Sequence, residues 1–151
     1  DLINLPGDAR RPLILDFNND TELDLASPLY NPHTVAVKHG TGGGNFNAMT
    51  FQFPSGGDYP WDMATEDFNS DGIPDLAVIN SADFGSVRDV TILPGDGNGL
   101  FLDAVTVATA PWDPQKIAVG DINEDGVPDI VTTCHTAGSS NCQWDLYLSN
   151  P

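Results

Sequence analysis

Carboxylates recur in this chain at a spacing that suits a hard cation. "DFNNDTELDLA" begins at Asp16, "DFNSDGIPDLA" at Asp67 and "DINEDGVPDIV" at Asp121. In each, side-chain oxygens fall at positions 1, 3, 5 and 9 and a backbone carbonyl is expected at position 7; in the second and third, Gly at position 6 permits a sharp turn around an ion. Such an all-oxygen cage suits Ca²⁺, which takes about six to eight oxygens, better than Mg²⁺, which sheds water reluctantly. The second loop would supply Asp67, Asn69, Asp71 and Asp75 with the carbonyl of Ile73; the third, Asp121, Asn123, Asp125 and Asp129 with the carbonyl of Val127. The first keeps Asp16, Asn18, Asp20 and Asp24, but Thr21 replaces the Gly and Glu22 takes the carbonyl position, so it is expected to be the weaker site. A helix-flanked EF-hand loop is excluded, because its position-12 Glu is here Ser27, Val78 or Thr132.

Metal in these loops would serve the fold first. Two carboxylates about 5 Å apart repel by roughly 3 kcal/mol at an effective dielectric of about 20, so an empty cage is a strained one. Nine of the 22 acidic residues are the Asp at positions 1, 5 and 9, which accounts for much of a net charge of -17 without invoking a basic partner. Only five basic residues are present, which disfavours nucleic acid, since phosphate binding needs clustered Lys and Arg.

The elements that must hold these loops read as short strands. The loops lie 51 and 54 residues apart, a period that fits a four-stranded propeller blade. Each is preceded by an apolar segment ("LIL", "MAT", "IAV") and followed by another ("LAS", "LAVI", "IVTT"), with a third strand in "VAV", "DVTIL" or "DLYL". "GTGGGNF" at Gly40 aligns with "GDGNGLF" at Gly95, each leading into a fourth strand, "AMTFQF" or "AVTVAT", and "PWD" recurs at Pro60 and Pro111. All runs are β-rich and bounded by Gly, Pro, Asn or Asp, so strands and no helix are predicted. The fold class is therefore all-β: three four-stranded antiparallel blades of a partial β-propeller, in one segment spanning 1–151.

The repeats run over about 13–52, 62–108 and 116–150, and "LINL" (Leu2 to Leu5) is a candidate strand for a neighbouring or closing blade. Three blades are too few to close a ring, for which about four to eight are usual. Either the chain is an excerpt of a longer propeller, or copies join through the terminal strand. No apolar run reaches the roughly 18 residues of a membrane helix, and Asp1 is no initiator Met, so the chain is read as mature, trimmed or a fragment.

"DFNSDGIPDLAV", "DINEDGVPDIVT" and "ILPGDGNGLF" resemble the FG-GAP/VCBS repeats, the calcium-bearing blades of integrin alpha-subunit-type propellers. The resemblance covers nearly the whole chain and departs only at Thr21 and Glu22. It implies an extracellular, secreted or cell-surface propeller whose calcium loops lie in the hairpin between the first and second strands. That family serves in adhesion, in carbohydrate binding and as accessory domains of secreted enzymes.

Function then has to be sought on the connections opposite the acidic loops. They carry Tyr30, His33, Tyr59, Trp61, Phe84, Trp112, His135 and Trp144 with Arg10, Arg11 and Arg88. Aromatic planes beside a few cations make docking sites for protein or glycan, while Trp61 and Trp112, read as matching positions, could instead pack between blades. Cys134 and Cys142 flank "HTAGSSN", a separation a hairpin disulfide can close in an oxidising compartment; two reduced thiols are the alternative, and zinc would find only His135 nearby. No GxSxG or HExxH occurs and no uncommitted carboxylate pair is evident, so no enzyme is expected. A binding or adhesion propeller leads, ahead of a self-assembling structural subunit and an accessory domain of a larger secreted enzyme.

Overall fold

Turn residues fall every five to ten positions along this chain, and the β-branched and aromatic runs between them can satisfy their backbone groups only by pairing with one another. The computed structural model describes residues 3–81, 87–110, 113–134 and 144–149, and among them there are strands and no helix. The first sheet has the order β1 (Leu13–Leu15), β2 (Asp24–Leu29), β3 (Thr34–Lys38), β6 (Phe51–Pro54), with a two-stranded hairpin β4 (Gly40–Gly42) and β5 (Asn45–Phe46) inserted before its last strand. The second repeats the plan as β7 (Pro60–Glu66), β8 (Asp75–Asn80), β9 (Asp89–Leu93), β10 (Val105–Thr109). The third contains β11 (Pro114–Gly120), β12 (Asp129–Cys134) and β13 (Trp144–Tyr147). Every pairing is antiparallel.

The repeat is exact at the level of register. Pro60 pairs with Asn80 and Asp62 with Ile79, so Trp61 bulges; Pro114 pairs with Cys134 and Lys116 with Thr133, so Gln115 bulges. The bridge from Ala9 to Leu29 marks the same point of the first repeat. Arg10, Trp61 and Gln115 are therefore equivalent, as are Arg11, Asp62 and Lys116, each five residues before the first Asp of its loop. This corrects the match of the two "PWD" triplets. The second lies three residues out of register, with Asp113 ahead of β11 and Lys116 standing where Asp62 stands.

The sheets stack face to face. Phe17, Ala26, Val35 and Val37 of the first sheet meet Met63, Leu76, Val78 and Leu93 of the second; Ala77, Ile79, Val90 and Ile92 then meet Ile117 and Ile130 of the third. Phe101, at the end of the Gly-rich turn, closes the first seam by setting its ring edge-on to Phe17 (5.7 Å between centroids) and Phe53 (5.6 Å). At the same end of the second seam lies an apolar cavity of about 340 Å³, lined by Phe68, Val107, Ile130, Tyr147 and Leu148 among others.

Within this chain Ile3, Asn4 and Leu5 pair with no described strand, and the reading of "LINL" as a strand of a neighbouring or closing blade concerns a partner outside these pairings. Ile3 and Asn4 instead border a cavity with Lys38 and the β4–β5 turn of their own repeat. The unpaired edge that "LINL" would complete belongs to β13, on the third sheet.

Candidate functional site

Each acidic loop is the β-hairpin between the first and second strands of its sheet, as expected, and the three are wired alike. The first Asp accepts two backbone N–H bonds: Asp67 Oδ1 from Asp71 at 3.1 Å and Oδ2 from Gly72 at 2.8 Å. Asp16 and Asp121 do the same with Asp20 and Thr21, and with Asp125 and Gly126. Asn18, Asn69 and Asn123 accept from the N–H two residues on, and Asp20, Asp71 and Asp125 accept from Glu22, Ile73 and Val127. The chain can curl so tightly because positions 4 and 6 are left-handed: Asn19, Ser70 and Glu124 have φ near 60°, and Thr21, Gly72 and Gly126 have φ of 76°, 82° and 89°. Thr21 thus holds the glycine conformation despite its branched Cβ.

The ninth-position Asp does something the spacing did not reveal. Asp24, Asp75 and Asp129 are fully buried. One carboxylate oxygen of each accepts from the start of its own loop, at Phe17, Phe68 or Ile122, over 2.9 to 3.0 Å. The other accepts from the residue that opens the following turn, at Gly40, Gly95 or Ser149, over 2.8 to 2.9 Å. A single buried carboxylate therefore pins the acidic loop to the far end of the third strand. Burial pushes the Asp75 carboxyl above its ordinary range, more than the Gly95 and Phe68 N–H groups lower it, and the charges of Asp71 and Asp67 add to the rise. Burial would raise Asp129 too, but the Ser149 and Ile122 N–H groups together with the Ser149 hydroxyl outweigh it and hold the carboxyl low.

For a cation, the donor set fits in chemistry: carboxylate, amide and carbonyl oxygens with no nitrogen or sulfur, and like charges close enough to raise Asp75. The outer ligands of the first loop (Asp16, Asn18, Asp20, Glu22) and their counterparts Asp67, Asn69, Asp71 and Ile73, and Asp121, Asn123, Asp125 and Val127, sit on the solvent side. Among the described residues, however, no three His, Cys, Asp or Glu side chains already converge as a preformed metal cluster. The oxygens accept backbone N–H groups that hold the curl of each loop.

The opposite end brings together part of the predicted ligand face. Tyr30 lies 4.8 Å from Tyr59 and 5.9 Å from Trp61, and His33 lies 4.4 Å from Tyr59. The Arg10 guanidinium stands over both Tyr30 (4.6 Å) and Trp61 (4.4 Å), and His33 Nδ1 is 3.0 Å from Asp58. The rings therefore stack on one another, and Arg10 lies over one face each of Tyr30 and Trp61. Trp144 is far more open, 78% exposed on β13. Phe84, Trp112 and His135 lie outside the described residues, as does Cys142, the proposed partner of the buried Cys134.

Two groups at this end escaped the sequence reading. Asp62 is fully buried, yet its Oδ2 faces Arg11 Nη1 at 3.5 Å and Lys116 Nζ at 3.4 Å, and accepts from the Ile117 N–H. The three equivalent positions of the repeat thus form one ion triad. Beside it, Asn80 donates to Thr91, whose hydroxyl donates to the Ser55 carbonyl, while Asn80 Oδ1 and Asp89 Oδ1 are buried without hydrogen-bond partners among the described residues. Desolvation raises the Asp89 carboxyl, the Asn80 side chain only partly offsets this, and Asp58 adds repulsion. Only the register, which pairs Asn80 with Asp89, could have pointed to this cluster.

No helix among the described residues is long and apolar enough to cross a membrane. No curated protein and no solved structure matches the chain. Residues 16–78 and 67–132 both match the FG-GAP-like repeat, and these overlapping matches run from the first acidic loop almost to the end of β12. Three identically wired hairpins on three successive antiparallel sheets are the structural counterpart of those matches, and the chain belongs to the FG-GAP-like repeat family.

Proposed function

We propose that this chain is a calcium-stabilised, non-catalytic propeller module of integrin-alpha type that works outside the cell, secreted or at its surface, and binds a protein or glycan ligand on the end opposite its acidic loops. The observation that carries this reading is the recurrence of one loop geometry at Asp16, Asp67 and Asp121, kept even where Thr21 must take a glycine conformation. The family match supports the extracellular part of this reading, because such repeats are typically found in extracellular proteins.

Calcium would be held by the oxygens at positions 1, 3, 5 and 7 together with the pinned Asp at position 9, and its chemistry is charge neutralisation and cross-linking of the hairpin. Bound at about 100 times its dissociation constant, each ion adds about 2.7 kcal/mol, so two sites rival a large part of a domain's stability of roughly 5 to 15 kcal/mol. Calorimetric titration with Ca²⁺ should show at least two sites, and chelation should lower the melting temperature by several degrees; an unchanged melt would sink the staple. For the ligand end, the immobilised chain would be probed with arrays of glycans and extracellular proteins. A binder lost in Tyr59→Ala supports the face, and a binder indifferent to it places recognition elsewhere.

One observation favours a second reading, a structural subunit. Among the described residues β13 pairs on one side only, and Trp144, Leu146 and Leu148 stand exposed on or beside it, an edge of the kind that recruits another strand. Sedimentation in calcium separates the two readings: monomers at all concentrations support the binding module, and concentration-dependent dimers or longer arrays support the subunit.

A further inference from the structure

We infer that the Arg11–Asp62–Lys116 triad is a subsite for a single carboxylate group on a small acidic sugar, an inference that rests on the reading of this end as the ligand face. The chain carries five basic residues. Lys38 is buried and donates to the carbonyls of Asn47 and Ala48, Arg88 faces Asp113 at 3.9 Å, and Arg10 is stacked between Tyr30 and Trp61. Arg11 and Lys116 remain, and their side chains are each 57% exposed while the carboxylate between them is fully buried.

Both cations approach the same oxygen, Asp62 Oδ2, at 3.5 and 3.4 Å, longer than a good charge-assisted bond of about 2.7 to 2.9 Å. Among the described residues two cations thus share one carboxylate, which leaves one net positive charge on the triad and both head groups partly open to solvent. Sharing Asp62 Oδ2 keeps the two head-group nitrogens no more than about 7 Å apart, a separation that one incoming carboxylate can bridge. The site is assembled from three repeats, Arg11 preceding β1, Asp62 on β7 and Lys116 on β11, so it exists only where the three sheets meet.

The surroundings select the ligand. A chain of net charge -17 repels a polyanion as a whole, so only an isolated negative group gains here. Trp61 and the stacked Arg10 lie one residue from Asp62 and Arg11 and offer an amphipathic wall to a sugar ring.

The test is calorimetric titration of the whole chain, in calcium, with D-glucuronate and with D-glucose at matched ionic strength. Glucuronate should bind at least about tenfold more tightly than glucose, should weaken as salt rises, and should lose about tenfold in either Arg11→Gln or Lys116→Gln. Heparin should bind no better than the monosaccharide. Each single variant leaves the buried Asp62 carboxylate one of its two cations and should melt somewhat below the parent chain, so binding is compared at a temperature where every variant is folded. Equal binding of glucuronate and glucose overturns the carboxylate subsite and leaves a neutral-glycan face standing. Undiminished glucuronate binding in the double variant, or tighter binding of heparin, overturns the assignment to these residues. If neither sugar binds, the subsite falls, while the array experiment still decides the face.

Discussion

Thr21 offers the sharpest test of how these loops are held. It sits at φ 76° where the sister loops have Gly72 at 82° and Gly126 at 89°, and its N–H donates to Asp16 at 2.8 Å as theirs do to Asp67 and Asp121. A left-handed backbone costs an L-residue about 1 to 2 kcal/mol, towards the upper end for a branched side chain. Thr21 is exposed, so Thr21→Gly forfeits little packing. It does loosen the unfolded chain, at a cost of about 0.4 to 1 kcal/mol. The difference is a gain of about 0.5 to 1 kcal/mol, or about 1 to 4 °C in melting temperature for a chain of this size. The reciprocal change isolates the backbone term, because a Cβ added at Gly72 would meet nothing within 4 Å. Gly72→Thr should therefore lose about 1 kcal/mol with no steric contribution. Urea denaturation of both variants in calcium-free buffer measures the effect without metal. If Thr21→Gly is no more stable than the parent and Gly72→Thr no less, the left-handed turn is not what constrains position 6, and the reasoning fails.

Other expectations follow from particular contacts. Phe101→Ala empties the ring that meets Phe17 and Phe53 and should cost about 3 to 5 kcal/mol, whereas Phe46→Ala, at the equivalent but half-exposed place, should cost much less; equal losses in denaturation would mean that Phe101 does not seal the seam. Asp89 has a raised carboxyl, so its stabilising contribution is complete below the ordinary carboxylate range and is lost as pH climbs through its raised value. Asp89→Asn should thus stabilise the chain at pH 7, and less so at pH 4, because the new amide can donate to the orphaned Asn80 oxygen; melts that shift equally at both pH values would contradict this. On the calcium reading, Asp125→Ala should cost more stability in calcium than Asp20→Ala, since the loop of Gly126 would bind the ion without the strain of Thr21. Equal melting losses would show that the first loop binds as well as the third.

The sheets were legible because their signal is local and threefold: β-rich runs, turn residues, and the same acidic hairpin returning at Asp16, Asp67 and Asp121. The fourth strands followed as well, from the Gly-rich turns that lead into β6 and β10. What stayed hidden was long-range. The ninth-position Asp reads as a metal ligand by spacing, and only the fold shows that both its oxygens already take N–H groups, one of them 16 or 20 residues away. The "PWD" triplets misled because identical letters outweighed the distance to the loop, which is what fixes Asp62 opposite Lys116. The aromatic face was found by composition. Its internal stacking on Arg10 was not, since that needs two adjacent sheets to bring Tyr30 and Trp61 together.

The buried pins at Asp24, Asp75 and Asp129 bear on how such a chain can grow. Each joins two points within a single repeat, and none reaches into a neighbouring repeat. Duplicating or deleting one unit of the gene would therefore move a complete set of internal fastenings and leave those of the other units intact. Only the surfaces between sheets would have to adapt, and there substitutions such as Arg11, Asp62 and Lys116 at one shared position show how freely chemistry can change while the backbone does not.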